Sequence, residues 1–173
     1  DRAAEAALVE VISSARPDDT IVAEEGSARV GSSGVCWILD PLDGTTNFVH
    51  GYPHYAVAVG VTIDGVRRLG VVADTARDRL YVGVSGGGAF CEEQGLAASV
   101  ERDLRHALIA TGFLPDQAVR PLQVDVLKAV LPHVRDVRRS GSAALDLCAV
   151  ASGSLDAYYE FGLKPWDIAA GAA

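Results

Sequence analysis

The sequence predicts a layered α/β fold of the α+β kind, not a doubly wound Rossmann sheet. Three observations predict it. Strand-like and helix-like segments intermix without strict β-α-β alternation. Asp64-Gly65 stands between two apolar runs, the strongest short hairpin signal available. Of the 173 residues, 49% are hydrophobic, enough for a sizeable core within the usual size of one domain.

The elements follow in chain order. Residues 2–15 place Ala4, Ala7, Leu8, Val11 and Ile12 on one helical face, and Pro17-Asp18-Asp19 stops that helix. Residues 20–23 form a short strand ending on Glu24-Glu25-Gly26. Residues 27–34, rich in Gly and Ser, read as a mobile loop. An apolar strand over 35–39 runs into Asp40. Residues 54–63 and 66–74 are the arms of the hairpin, 79–84 add a third strand, and Gly86-Gly87-Gly88 turns the chain. A strand over 108–112 precedes helical spacing over 119–131 and a short alternating strand over 134–138. Residues 143–151 form a helix closed by Gly153, and 156–161 a strand. Asp167 opens a last helix of about two turns, which is marginal in isolation.

Charge and cysteine usage narrow the function classes. A net charge of −8 disfavours nucleic acid and anionic membrane as partners. No stretch approaches the roughly 20 apolar residues of a membrane span. Cys36, Cys91 and Cys148 are odd in number and widely spaced. They read as free thiols in a reducing compartment, taken as the cytoplasm, not as a disulfide framework or zinc site. The first residue is Asp1 and not Met, so the sequence reads as lacking its true N-terminus.

The chemistry concentrates in WILDPLDGTTNF, residues 37–48. Asp40 and Asp43 flank Pro41, whose fixed backbone angle lets two carboxylates converge at lower entropic cost. The Leu42 carbonyl adds a hard oxygen, the kind of ligand magnesium prefers. Gly44 permits close backbone approach, and the amides of Gly44, Thr45 and Thr46 begin a short helix suited to an anion. An ordinary Asp-Gly turn is the competing reading. Glu24 and Glu25 end one strand as Asp40 ends its neighbour, unless they are a solvated acidic loop. Asp167 is a further acid or a helix cap, and Ser142 a ligand or a helix cap.

Together these segments resemble the inositol monophosphatase family of magnesium-dependent, lithium-sensitive phosphatases. The residues that carry the match are Glu24-Glu25-Gly26, Asp40 through Phe48, Gly141-Ser142-Ala143-Ala144 and Trp166-Asp167, with 70–90 and 154–162 similar as well. The resemblance covers nearly the whole chain. It implies a sandwich of alternating helix and sheet layers, and one phosphatase domain over 1–173 that lacks residues at both ends. It implies Mg2+ held by Glu24, Asp40 and the Leu42 carbonyl, a second ion on Asp40, Asp43 and Asp167, and a weaker third near Glu24. Phosphate would rest on the metals and on the amides of Gly44 and Thr45, with Asp43 and Asp167 also facing the substrate. Sugar-alcohol contacts map to Gly141, Ser142, Ala143 and Glu160. Glu24 and a pair formed by Asp1 and Thr45 would orient a metal-activated water, without a phosphoenzyme. The implied substrate is a small phosphate monoester, foremost inositol 1-phosphate, and the implied assembly a homodimer. The alternatives are histidinol phosphate, a sugar phosphate or a nucleotide 3′-phosphate as substrate, a non-catalytic binding module, or a simple cation-binding protein. His50 and His54 flank a Gly-Tyr-Pro turn and read as structural.

Overall fold

The computed structural model describes residues 1–173. Helix α1 (Arg2–Ala15) leads into strands β1 (Thr20–Ala23), β2 (Ala28–Arg29) and β3 (Val35–Asp43). A five-residue helix α2 (Thr45–Val49) follows, then β4 (Ala56–Ile63), β5 (Val66–Asp74), β6 (Arg79–Val84), β7 (Gly88–Cys91) and β8 (Gln94–Gly95). The rest comprises β9 (Leu108–Thr111), α3 (Arg120–Val130), β10 (Asp136–Arg138), α4 (Ala143–Ala151), β11 (Ala157–Tyr159) and α5 (Pro165–Ala169). No helix is long and apolar enough to cross a membrane.

The strands make two sheets. The larger has eight strands in the order β2-β1-β3-β4-β5-β6-β7-β8, parallel only where β1 meets β3. The smaller has three parallel strands, β10-β9-β11. One face of the large sheet meets α1, where Ile12, Ile21, Ala23 and Leu39 bury together with Leu8, Val9, Trp37 and Val59 packed on them. The opposite face meets α4 and α5 through Ala56, Ala58, Val72, Ala144, Leu145, Cys148 and Ala170. Burying a Leu or Ile side chain of this kind contributes roughly 1.5–3 kcal/mol. Helix α4 also touches β11, so helix and sheet layers alternate: α1, large sheet, α4 with α5, small sheet.

Small residues set the spacing of the second interface. A Cβ on Gly60 would lie 2.5 Å from the Ala169 Cβ, and one on Gly70 would lie 2.0 Å from the Ala170 carbonyl oxygen. Neither α5 nor its following turn could sit this close to the sheet otherwise. The hairpin turn is as expected: Asp64 and Gly65 both take positive φ, 50° and 77°. The three cysteines are free thiols.

Four expectations need correction. Residues 27–34 are not all loop, because Ala28 and Arg29 pair with Val22 and Ile21 at the edge of the sheet. The buried stripe of α1 is rotated to Glu5, Leu8, Val9 and Ile12, while Val11 stays exposed. The Glu5 carboxylate accounts for that rotation: it accepts from the amides of Glu25 (2.8 Å) and Ser27 (2.9 Å), clasping the loop after β1. Asp167 does not cap α5. It sits at the third helical position and accepts from the amide of the capping residue, Lys164, at 2.5 Å. Finally, β3 does not stop at Leu39 but continues through the two aspartates.

Candidate active site

The continuation of β3 is what builds the site. Asp40 pairs with Ala58 and Asp43 with Ala56, so three steps on β3 oppose two on β4. That extra residue is a β-bulge, one of the few places where a strand accepts a proline. In a regular strand, positions three apart point to opposite faces. Leu39 points to the α1 face, so Asp40 points to the α4 and α5 face. The bulge returns Asp43 to that same face, where it meets the first turn of α4. Pro41 thus serves a bulge and not the turn expected from the sequence.

The parallel pairing of β1 with β3 supplies the third acid. Ala23 pairs with Leu39, and the Glu24 amide donates to the Leu39 carbonyl at 3.2 Å. Glu24 therefore stands beside Asp40. Asp167 arrives from α5, which the glycines hold against β4 and β5.

The Asp43 carboxylate Oδ2 accepts from Ser142 Oγ at 2.6 Å and from the Ala144 amide at 2.7 Å. Ser142 Oγ also accepts from the Leu145 amide, so it caps α4 while serving Asp43. Asp43, Asp167, Gly141, Ala143 and Glu160 line one cavity of about 120 Å³, with Asp146, Arg139, Thr111 and Leu163. Arg139 and Gly141 also border a neighbouring cavity of about 280 Å³ lined by Gly44, Thr45, Thr46 and Asn47 at the start of α2. Gly44 takes φ 92°, which favours glycine, and a Cβ there would press the His54 carbonyl oxygen at 3.0 Å.

The electrostatics of this corner are those of a repelling cluster. Burial, then the charges of Asp43 and Glu24, push Asp40 up to about 9. Asp40 Oδ1 accepts from the Leu42 amide at 3.0 Å, and Glu24 stands close enough to add its charge. Burial raises Glu24 as well, with Asp167, Glu25 and Asp43 adding to the rise, although one side of Glu24 faces solvent. Burial lifts Asp43 to about 6 against the donors Ser142, Ala144 and Ala143. Asp167 is raised by burial against its bond to Lys164. Four carboxylates in one corner, each harder to ionise than usual, suit a site whose positive charge comes from outside the chain. No three acidic side chains close on one point as a ready cage. Asp43 faces Ser142, Asp167 faces Lys164, and the Leu42 carbonyl accepts from Thr45 Oγ1 at 3.0 Å.

Thr45 and Asp1 do not hydrogen-bond to each other in this structure. The Thr45 hydroxyl donates to Leu42, while Asp1 is exposed at the start of α1 with its carboxylate uncommitted to the helix. Three residues next to the site go beyond the expectations. Asn47 Nδ2 donates to the carbonyls of His54 (2.7 Å) and Ser140 (2.9 Å), tying α2 to the loop before α4. Asp146, buried and raised to about 6 by that burial, accepts from Ser140 Oγ, and His54 Nε2 lies 4.0 Å away. Tyr158 donates to Glu160. Asn47 lies inside the motif and its amide type was the available signal; Asp146 and Tyr158 have no local signal.

A family model described as the inositol monophosphatase family matches residues 1–173. The chain belongs to the inositol monophosphatase family. Among curated relatives, the Nus factor SuhB of Pasteurella multocida is 44% identical over 173 residues, covering 99% of this chain and 65% of that protein. The inositol-1-monophosphatase SuhB of Mycobacterium tuberculosis is 48% identical over 166 residues, covering 91% of this chain and 57% of that protein. This family member thus spans less than two thirds of the length of those relatives. Among solved structures, SaIMPase-II with inositol monophosphate bound superposes with a TM-score of 0.88 at 36% identity, covering 99% of this chain and 66% of that one. The same protein has been solved with 2′AMP.

Proposed function

We propose that residues 1–173 form one phosphatase domain that hydrolyses a small phosphate monoester, foremost inositol 1-phosphate, with Mg2+ as cofactor. One observation carries the reading. Asp43 from the β3 bulge and Asp167 from α5, far apart in sequence, line the same 120 Å³ cavity, with Glu160 on its wall.

The donor set fits magnesium: carboxylates and one carbonyl, hard oxygens without thiol or imidazole. Glu24, Asp40 and the Leu42 carbonyl would hold one ion, and Asp40, Asp43 and Asp167 a second. Bound there, magnesium would neutralise phosphoryl charge and acidify water. The chain's own residues do the rest. The first amides of α2, from Gly44 and Thr45, offer donors to phosphoryl oxygens, since a helix's first turn leaves its N–H groups unpaired. Glu24, partly open to solvent, would accept a proton from the attacking water. Thr45, with Asp1 if that carboxylate swings inward, would orient it. Gly141, Ala143 and Glu160, which line the cavity, would surround the leaving alcohol, while Ser142, buried and bonded to Asp43, would act by fixing that carboxylate. An acidic wall suits a neutral polyol and disfavours a second phosphate. The water attacks directly in this reading, without a phosphoenzyme.

The test is phosphate release from inositol 1-phosphate with and without magnesium. Release that requires magnesium and vanishes in Asp43→Asn supports the reading. A chain that binds magnesium yet releases no phosphate from inositol 1-phosphate, histidinol phosphate, sugar phosphates or nucleotide phosphates overturns it. The relative named as a Nus factor favours a second reading, a binding module for a protein partner; a homodimer is the assembly proposed under the first.

A further inference from the structure

Glu160 is held from two sides, by Tyr158 and by Gly112. It lies just past β11, which pairs in parallel with β9 through Tyr158 with Ala110 and Tyr159 with Thr111. Tyr158 and Glu160 are two residues apart and share a face of the strand. The Tyr158 hydroxyl donates to Glu160 Oε2 at 2.5 Å. On the neighbouring strand, Gly112 follows Thr111. A Cβ on Gly112 would lie 1.7 Å from Glu160 Oε2 and 2.2 Å from Oε1. The whole carboxylate therefore rests flat in the space that glycine leaves. Asp146, Asp43 and Asp167 line the same cavity with one cation, Arg139, so acids outnumber bases around Glu160. Tyr158 and Gly112 are the contacts that fix its orientation there.

We propose that Tyr158 and Gly112 are positioning residues that lock Glu160 for reading substrate hydroxyls, and so set the preference for a polyol leaving group over other phosphate esters. The donor fills one oxygen of Glu160 and leaves the other to accept from a substrate hydroxyl. The glycine floor fixes the plane of the group. The discrimination then lies in binding of the alcohol half, because both residues contact Glu160 and neither lines the cavity at the start of α2. This rests on the phosphatase reading above.

The experiment compares inositol 1-phosphate with p-nitrophenyl phosphate, which carries no hydroxyl on its leaving group, in the presence of magnesium. Tyr158→Phe keeps the ring and removes the donor. It is expected to raise KM for inositol 1-phosphate about three- to tenfold, as for one lost hydrogen bond, with kcat little changed. KM for p-nitrophenyl phosphate stays at the wild-type value. Gly112→Ala gives the same split and a larger rise. In a Glu160→Gln background, Tyr158→Phe adds nothing, because its effect passes through Glu160. An equal effect on both substrates, no effect on either, or full additivity with Glu160→Gln overturns the proposal. Wild type that turns over neither ester sinks the phosphatase reading instead. Calorimetric titration with inositol 1-phosphate and with inorganic phosphate then decides the wall: Tyr158→Phe weakens the first three- to tenfold and spares the second, and equal weakening refutes it.

Discussion

Asp40→Asn separates stability from function. Asp40 is 1% exposed and its carboxyl is pushed up to about 9, first by burial and then by Asp43 and Glu24. A carboxyl raised above its ordinary value keeps its proton in the fold when the unfolded chain has lost it. The metal-free fold therefore loses stability as pH rises from the ordinary 3.8 towards 9. Each pH unit in that window carries about 1.4 kcal/mol, so by pH 8 the loss has a ceiling of about 6 kcal/mol, and we expect about 2–5. Asparagine escapes it. Its Oδ1 still accepts from Leu42, and it brings no charge to set against Asp43 and Glu24. In urea melts with EDTA, Asp40→Asn should match wild type near pH 4 and exceed it by about 2–5 kcal/mol at pH 8. The same variant should show no magnesium-dependent phosphate release, which is the usual exchange of stability against activity at a strained site. A variant less stable than wild type at pH 8 in EDTA refutes the reasoning, and so does full activity at saturating magnesium.

Three further outcomes follow. Ser142→Ala removes the cap of α4 and the 2.6 Å donor to Asp43 together, and should lower stability by about 2–4 kcal/mol in urea melts, while the magnesium needed for half-maximal activity rises. Gly60→Ala forces a Cβ to within 2.5 Å of Ala169 and so pushes α5, with Asp167, away from the sheet. Thermal melts should show a loss of about 1–3 kcal/mol, and calorimetry a weaker magnesium affinity. Asp19, bonded by Arg16, Ser33 and Trp37, is held down to about 2, chiefly by the Arg16 hydrogen bond. Its contribution is present above the ordinary value of 3.8 and lost as pH falls towards 2. Asp19→Asn should flatten the stability profile in that acid window; an unchanged profile would contradict it.

Much of the layered fold was legible because its signals are local. The Asp64-Gly65 pair needs positive φ at both positions and so marks its hairpin by itself. Helices α1 and α4 carry their own periodicity and stops. Short strands β2, β7 and β8, of two to four residues, carry no period long enough to read. The motif showed that Asp40 and Asp43 belong together but not how. A proline after an apolar strand reads as a terminator, and only pairing with β4 reveals a bulge that puts both acids on one face. The contact from Ser142 to Asp43 spans 99 positions, and nothing near either residue announces it beyond a serine suited to capping. Tyr158 was hidden because a three-residue strand gives no hint which face its neighbour across β9 leaves empty.

The most direct test is diffraction from crystals soaked with manganese and phosphate, with the metal located by its anomalous signal. The account predicts peaks within coordinating distance of Asp40, Asp43 and Asp167, and of Glu24 with the Leu42 carbonyl, with phosphate between them and the start of α2. Strong manganese binding elsewhere on the chain, with that acidic corner empty at saturating metal, would contradict it.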